Sequence, residues 1–232
     1  MHSLKSDKTA SFLSVGGFQP FTLSDYPGCV ASIVFTQGCN FKCPFCHNGD
    51  LVEAKWTRSH FSICSQVIEK LRKKRWKIKG VVVSGGEPTL QPGLEGFLSL
   101  VKEMGYKVKL DTNGSRPGIL KDLFQRELVD FVAMDIKAPL YKYSLLSGVV
   151  VDVSAICKSI EIIAHSGVRH LFRTTFVEPL LDEEDLEIIA AEMVPSGSRY
   201  VVQKFISQNA MDPSLRTISS QSGTSEHGHS AM

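Results

Sequence analysis

The sequence predicts an α/β domain on a parallel sheet. Short β-branched runs alternate with longer amphipathic segments along the chain, the rhythm of strand and crossover-helix units. The chemically distinctive residues fall directly after those runs, where the loops of such a sheet carry function. At 232 residues, 43% hydrophobic and 22% charged, the chain is long enough to bury one full core.

The elements follow in order. "FLSVGGFQPFTLSDYPG" at 12–28 reads as a small β appendage occupying residues 12–30. Six runs then read as strands: "ASIVFTQ" (31–37), "GVVVSG" (80–85), "KVKLDT" (107–112), "DFVAMDI" (130–136), "LFRTTFV" (171–177) and "YVVQKFI" (200–206). Helical periodicity fills 61–76, 93–104, 117–127, 153–166 and 182–193, with Gly105 and Gly167 as C-terminal stops and the acidic "DEED" opening the fifth helix. Residues 1–207 are expected to form the domain, and the polar, Ser-rich 208–232 a disordered tail. Six parallel strands with right-handed crossovers make an open doubly wound sheet or an incomplete barrel.

A formal charge of +2 implies neither a nucleic-acid nor a membrane surface. The basic run "KLRKKRWKIK" (70–79) reads as a solvated helix end, with a docking patch for an acidic partner as the rival. No apolar stretch reaches spanning length and the N-terminus lacks the apolar core of a signal peptide, so a cytoplasmic protein is expected. In that reducing compartment the six cysteines read as thiols or metal ligands. Cys29, Cys64 and Cys157 stand apart and read as packing.

Cys39, Cys43 and Cys46 crowd the loop "FTQGCNFKCPFCHNG" after the first parallel strand. Zinc would require a fourth ligand, and the adjacent His47 reaches the same ion as Cys46 only with strain. A four-iron cluster held by three thiolates keeps one iron open, which suits chemistry at that iron. Three more rim segments, "SGGEP", "DTNG" and "DIKAP", end the next three strands. Ser84, Gly85, Gly86 and Glu87 taken alone read as a turn, and Asp111, Thr112 and Asn113 as local caps.

The spacing CxxxCxxC with Phe45 before its last cysteine, joined to "SGGEP", resembles the radical S-adenosylmethionine (SAM) enzymes. Through "SGGEPTLQP", "VKLDTNGSRP", "DFVAMDIKAP" and "FRTTFVEPLLDEEDL" it is similar to the activating enzymes of glycyl-radical proteins, above all the anaerobic ribonucleoside-triphosphate reductase activating group, over residues 15–206. The resemblance implies a partial (β/α)6 TIM-like barrel and a [4Fe-4S] cluster on Cys39, Cys43 and Cys46. It implies SAM contacts from Phe45, Ser84, Gly85, Gly86, Glu87, Asp111 and Asn113, with Glu87 facing the amino group. It also implies a monovalent cation beside Asp111, Thr112, Asp135 and the Ala133 carbonyl, and places Lys137 and Arg173 toward SAM or substrate; ion pairing with rim carboxylates is the rival for these two.

The implied activity is hydrogen abstraction from a glycine of a partner glycyl-radical enzyme, anaerobic ribonucleotide reductase first, with a flavodoxin- or ferredoxin-type electron donor. "VVQKFISQNAMDPS" lacks the histidine that follows strand six in the pyruvate formate-lyase branch, which disfavours that branch, and no second cysteine cluster is present. Two alternatives stay open: a radical SAM enzyme acting on a small molecule, as a deazaguanine-forming synthase does, and a non-catalytic iron–sulfur electron-transfer module.

Overall fold

A computed structural model of the protein describes residues 13–53 and 58–220. Its seven strands lie in one sheet in chain order: β1 (Val15–Thr22), β2 (Ala31–Thr36), β3 (Gly80–Gly85), β4 (Lys107–Thr112), β5 (Phe131–Asp135), β6 (Arg169–Phe176) and β7 (Tyr200–Lys204). β2 to β7 are parallel to one another, and β1 runs antiparallel to β2. The six expected strands are thus present. The segment read as an appendage is the edge strand of the same sheet, irregular at two points of its pairing. No pairing among the described residues joins β7 to β1, so the sheet is the open, partial barrel.

The helices are α1 (Arg58–Lys74), α2 (Leu94–Glu103), α3 (Pro117–Gln125), α4 (Tyr143–Ser147), α5 (Val153–His165) and α6 (Glu183–Ile188). α2 buries Leu94, Phe97, Leu98 and Val101, one stripe at helical spacing. α5 starts at Asp152, whose carboxylate accepts from the Ser154 and Ala155 amides. The fifth expected helix, 182–193, is split: α6 opens with a capping box between Asp182 and Asp185, and Ile189–Met193 continues as a π-turn. Asp185 is fully buried and also pairs with the Lys142 ammonium at 2.6 Å, so one acidic residue of "DEED" ties α6 to the turn before α4.

Strand alternation sorts the two faces. Val81 and Val83, Val108 and Leu110, Val132 and Met134, and Phe172 join the large core beneath the helices. The opposite parity points inward, where Tyr26, Ala31, Ile33, Val82, Phe131 and Ala133 form a small apolar plug at the base of the barrel. Above it the same inward positions turn polar: Ser84, Asp111, Asp135 and Arg173.

The tail differs from expectation. Ser207–Asn209 and Pro213–Ser220 form short 3-10 turns, and Ala210 and Leu215 are buried. The Asp212 amide donates to the Pro44 carbonyl at 2.8 Å, which fastens this segment onto the cysteine loop. "Polar on average" hid two apolar residues at a useful spacing; the rest of the expected tail, 221–232, lies outside the described residues. Leu215→Ala should therefore destabilise the protein by about 2 kcal/mol or more, as truncation of a buried leucine does. Urea unfolding under anaerobic conditions measures it, and a wild-type midpoint would make 208–216 dispensable.

Candidate active site

The cysteine loop leaves β2 and is held mostly by backbone. Gly38 N–H donates to the Leu51 carbonyl at 2.7 Å, Cys39 N–H to Val52 at 3.0 Å, Lys42 N–H to Ser147 at 2.8 Å and Cys46 N–H to Cys43 at 3.0 Å. The Gln37 side chain adds a bond to the Glu53 carbonyl at 2.6 Å. The missed helix α4 matters here. Its last residue precedes Gly148 (φ +67°), and a Cβ there would sit 2.1 Å from the Lys42 carbonyl oxygen. "YSLLSG" is too short to show helical periodicity in sequence.

Two glycines set the approach of β3 to this loop. A Cβ at Gly85 (φ +111°) would lie 2.3 Å from the Thr36 amide nitrogen, and one at Gly86 2.1 Å from the Gly38 carbonyl oxygen. In return the Gly86 amide donates to Thr36 at 2.9 Å and the Glu87 amide to Gly38 at 2.8 Å. The bare backbone of "GG" thus lets the cysteine loop lie against the β3 turn.

One cavity of about 400 Å³ gathers Cys39, Cys43, Phe45, Cys46, Ser84, Gly85, Gly86, Glu87, Asp111, Thr112, Asn113, Asp135, Lys137 and Arg173. Of the residues singled out from sequence only Ala133 is absent from its wall, being fully buried in the apolar plug. Thr175 and Gln203 line the cavity as well, from the inward parity of β6 and β7. Period-two alternation extended through those strands would have found them.

Glu87 is held from several sides at the cavity wall. Its carboxylate is 1% exposed and accepts from Thr89 N at 3.0 Å, Thr112 Oγ1 at 2.8 Å and Asn113 N at 2.7 Å, with Thr89 Oγ1 as a further donor. Burial raises its pKa against these hydrogen bonds. The side chain fastens the β4 turn to the β3 turn. Asn113, so positioned, reaches Asn40 Oδ1 at 2.9 Å and the Cys39 sulfur at 4.0 Å.

The residues expected to hold a monovalent cation are engaged with side chains of the same chain. Asp111 pairs with Lys109, accepts from Ser84 Oγ at 3.4 Å and faces Arg173 Nη1 at 3.4 Å. Asp135 accepts from Arg173 Nε at 2.7 Å and Lys137 Nζ at 3.1 Å. Thr112 spends its hydroxyl on Glu87 and the Gly114 amide. Side-chain cations thus hold both carboxylates named for a monovalent ion. Burial alone would raise the Asp135 pKa, but the charges of Arg173 and then Lys137 bring it down to about 2.

Burial pushes the Cys39 thiol up to about 12, with Glu87 adding to the shift, and the Cys43 thiol up to about 11. A metal bound by these thiols would have to displace their protons. No three His, Cys, Asp or Glu side chains among the described residues meet at a point as ligands of a single ion. The three thiols are spread around a cavity instead, and Phe41 N–H already donates to Cys39 Sγ at 3.4 Å. Phe45 is 5% exposed, meets Phe205 edge-on at 6.5 Å and carries Lys137 Nζ 5.9 Å from its ring centre. His47 stacks on Phe205 at 5.8 Å, and its Nε2–H donates to the Ile206 carbonyl at 2.5 Å, so the imidazole is engaged with the strap after β7.

Two outcomes follow from this geometry. Gly86→Ala should push the loop off β3, and iron and sulfide bound after anaerobic reconstitution should fall well below wild type; full loading would disprove the close-contact role. Because the folded pKa of Asp135 lies below the ordinary ~3.9 of an unfolded aspartate, its pairing stabilises the fold above that pH, and the contribution is lost as pH falls toward about 2. Acid unfolding of cluster-free protein should therefore be less steep in Asp135→Asn. At neutral pH that variant should be weakened by about 3–5 kcal/mol, the cost of leaving buried charges unpaired.

A model of the radical SAM superfamily matches residues 33–192. A Methanocaldococcus jannaschii protein named as a glycyl-radical enzyme activating enzyme is 33% identical over 218 residues, covering 88% of this chain and 85% of its own. The pyruvate formate-lyase-activating enzyme of Clostridium pasteurianum is 36% identical over 124 residues, and there the match spans 50% of this chain and 48% of the relative. The crystal structure of Streptococcus suis SuiB bound to its precursor peptide SuiA superposes with a TM-score of 0.58 at 15% identity, over 75% of this chain and 38% of that one, a likeness of fold. The chain belongs to the radical SAM superfamily, and within it to the group that includes the activating enzymes of glycyl-radical proteins.

Proposed function

We propose that this enzyme installs a glycyl radical on a partner protein, with anaerobic ribonucleoside-triphosphate reductase as the partner and a flavodoxin- or ferredoxin-type protein as electron donor. The similarity to the M. jannaschii protein over 88% of the chain carries the reading, and the charge arrangement of the cavity supports it. Cys39, Cys43 and Cys46 hold the [4Fe-4S] cluster. Arg173 and Lys137 attract the carboxylate of the SAM methionine moiety, and the Ser84–Glu87 turn receives its amino group. When bound, cluster and SAM together supply a 5′-deoxyadenosyl radical that takes hydrogen from carbon. The protein's own contribution is placement and exclusion of water.

The open side of the sheet suits an extended peptide. A glycine is the fitting target because, lacking a side chain, it brings its Cα hydrogen close to the abstracting carbon. Val202 and Ile206, on and just after the edge strand β7, are exposed at 43% and 58%.

Reduced enzyme, SAM and an anaerobic ribonucleotide reductase should together give a stable glycyl radical in electron paramagnetic resonance, absent when the target glycine is alanine. Serine at Cys39, Cys43 or Cys46 should abolish the signal and lower bound iron, whereas Cys29→Ser, Cys64→Ser and Cys157→Ser should keep both. Consumption of SAM against a small molecule, with no protein radical, would replace the activase reading by the small-molecule one.

A further inference from the structure

Lys109 is a lysine inside the barrel. Its side chain is 3% exposed. It stands on the inward face of β4, level with Val82 of β3 and Phe131 of β5, both members of the apolar plug. An ammonium buried there needs an anionic partner, and it has one two residues along the same face, Oδ1 of Asp111. The other oxygen of Asp111 takes Ser84 Oγ and faces Arg173 Nη1, each at 3.4 Å.

The charges settle what this lysine does. Within their ion pairs Asp111 and Asp135 face Lys109, Arg173 and Lys137, two carboxylates against three cations, while Glu87 lines the same cavity outside these pairs. Without Lys109 the pairs of Asp111 and Asp135 would balance, two against two. A small cation at Asp111 would do the same electrostatic work, but it would need several oxygens. Here Asp111 already takes Lys109 and faces Arg173, and Thr112 donates to Glu87 and accepts from the Gly114 amide.

We propose that Lys109 is the resident cation of this site: a positioning residue whose tethered ammonium stands in for a monovalent metal ion, so that SAM binding is independent of potassium and sodium. The inference rests on the SAM-binding reading above. Being covalently attached, the charge is present at any external salt composition, and it leaves Arg173 and Lys137 directed at Asp135 and the ligand.

The test compares tetramethylammonium, sodium and potassium chloride at equal ionic strength. SAM affinity of the cluster-loaded protein and thermal unfolding of the cluster-free protein are both read. Wild-type affinity should agree among the three salts. Lys109→Met should bind SAM about tenfold more weakly in tetramethylammonium, the scale of one lost charge-assisted contact. It should recover in potassium or sodium, which would also raise its melting temperature more than that of wild type. A lysine acting only as packing would give no such rescue.

Wild-type affinity that depends on sodium or potassium overturns the proposal, as does a Lys109→Met protein that is unimpaired in tetramethylammonium. If Lys109→Met does not fold, Lys109→Met/Asp111→Asn, which removes both charges, should fold and show no rescue by small cations; rescue in that variant also counts against the proposal. A cluster-loaded wild type that binds no SAM in any salt defeats the functional reading itself, and the melting comparison still decides the role of Lys109.

Discussion

The site depends on a contact in which no side chain takes part. Thr36–Gly38 at the end of β2 and Gly85–Gly86 at the end of β3 meet backbone to backbone, at distances where a single Cβ would lie 2.1 to 2.3 Å from main-chain atoms. Two parallel neighbours ordinarily send their loops apart. Here the loops are welded, so the thiols leaving β2 share a cavity with the turns of β3 and β4. Glu87 extends the weld by one strand, because its buried carboxylate satisfies donors from both the β3 and the β4 turn. A buried carboxylate so bonded is difficult to displace, since losing it would strand several polar groups at once.

On that frame the polar rim is organised by charge. β4, β5 and β6 each bring ionisable residues to the inward face, and the residues alternate in sign around the cavity. The consequence is a set of ion pairs whose members hold one another in place. The same pairing explains why Lys137 can sit over the face of Phe45, close to the cysteine loop: Asp135 holds its ammonium in the charged form against burial. Of the two readings of Lys137 and Arg173 from sequence, pairing with rim carboxylates is the one visible in this network.

The segment after β7 completes the enclosure. Phe205 stacks on His47, and the Asp212 amide bonds to Pro44. The loop that carries the three thiols is thereby clamped from β3, from α4 and from the C-terminal side. Such clamping suits a cofactor whose placement controls the rate.

What the sequence by itself determined was whatever depends on local periodicity and spacing. Alternation along 80–85 and 107–112 marked strands with one apolar and one functional face, Gly105 and Gly167 marked helix ends, and the cysteine spacing named the cluster loop. Side-chain partnerships were decided only by the tertiary structure. Glu87 binds Asn113 across 26 positions, Arg173 meets Asp111 across 62, and Asp212 reaches Pro44, and no local pattern encodes such separations. Lys109 shows the limit most clearly. In sequence it is one lysine in a β run, free to face solvent; strand register places it level with Val82 and Phe131 inside the barrel, where burial makes its pairing with Asp111 compulsory.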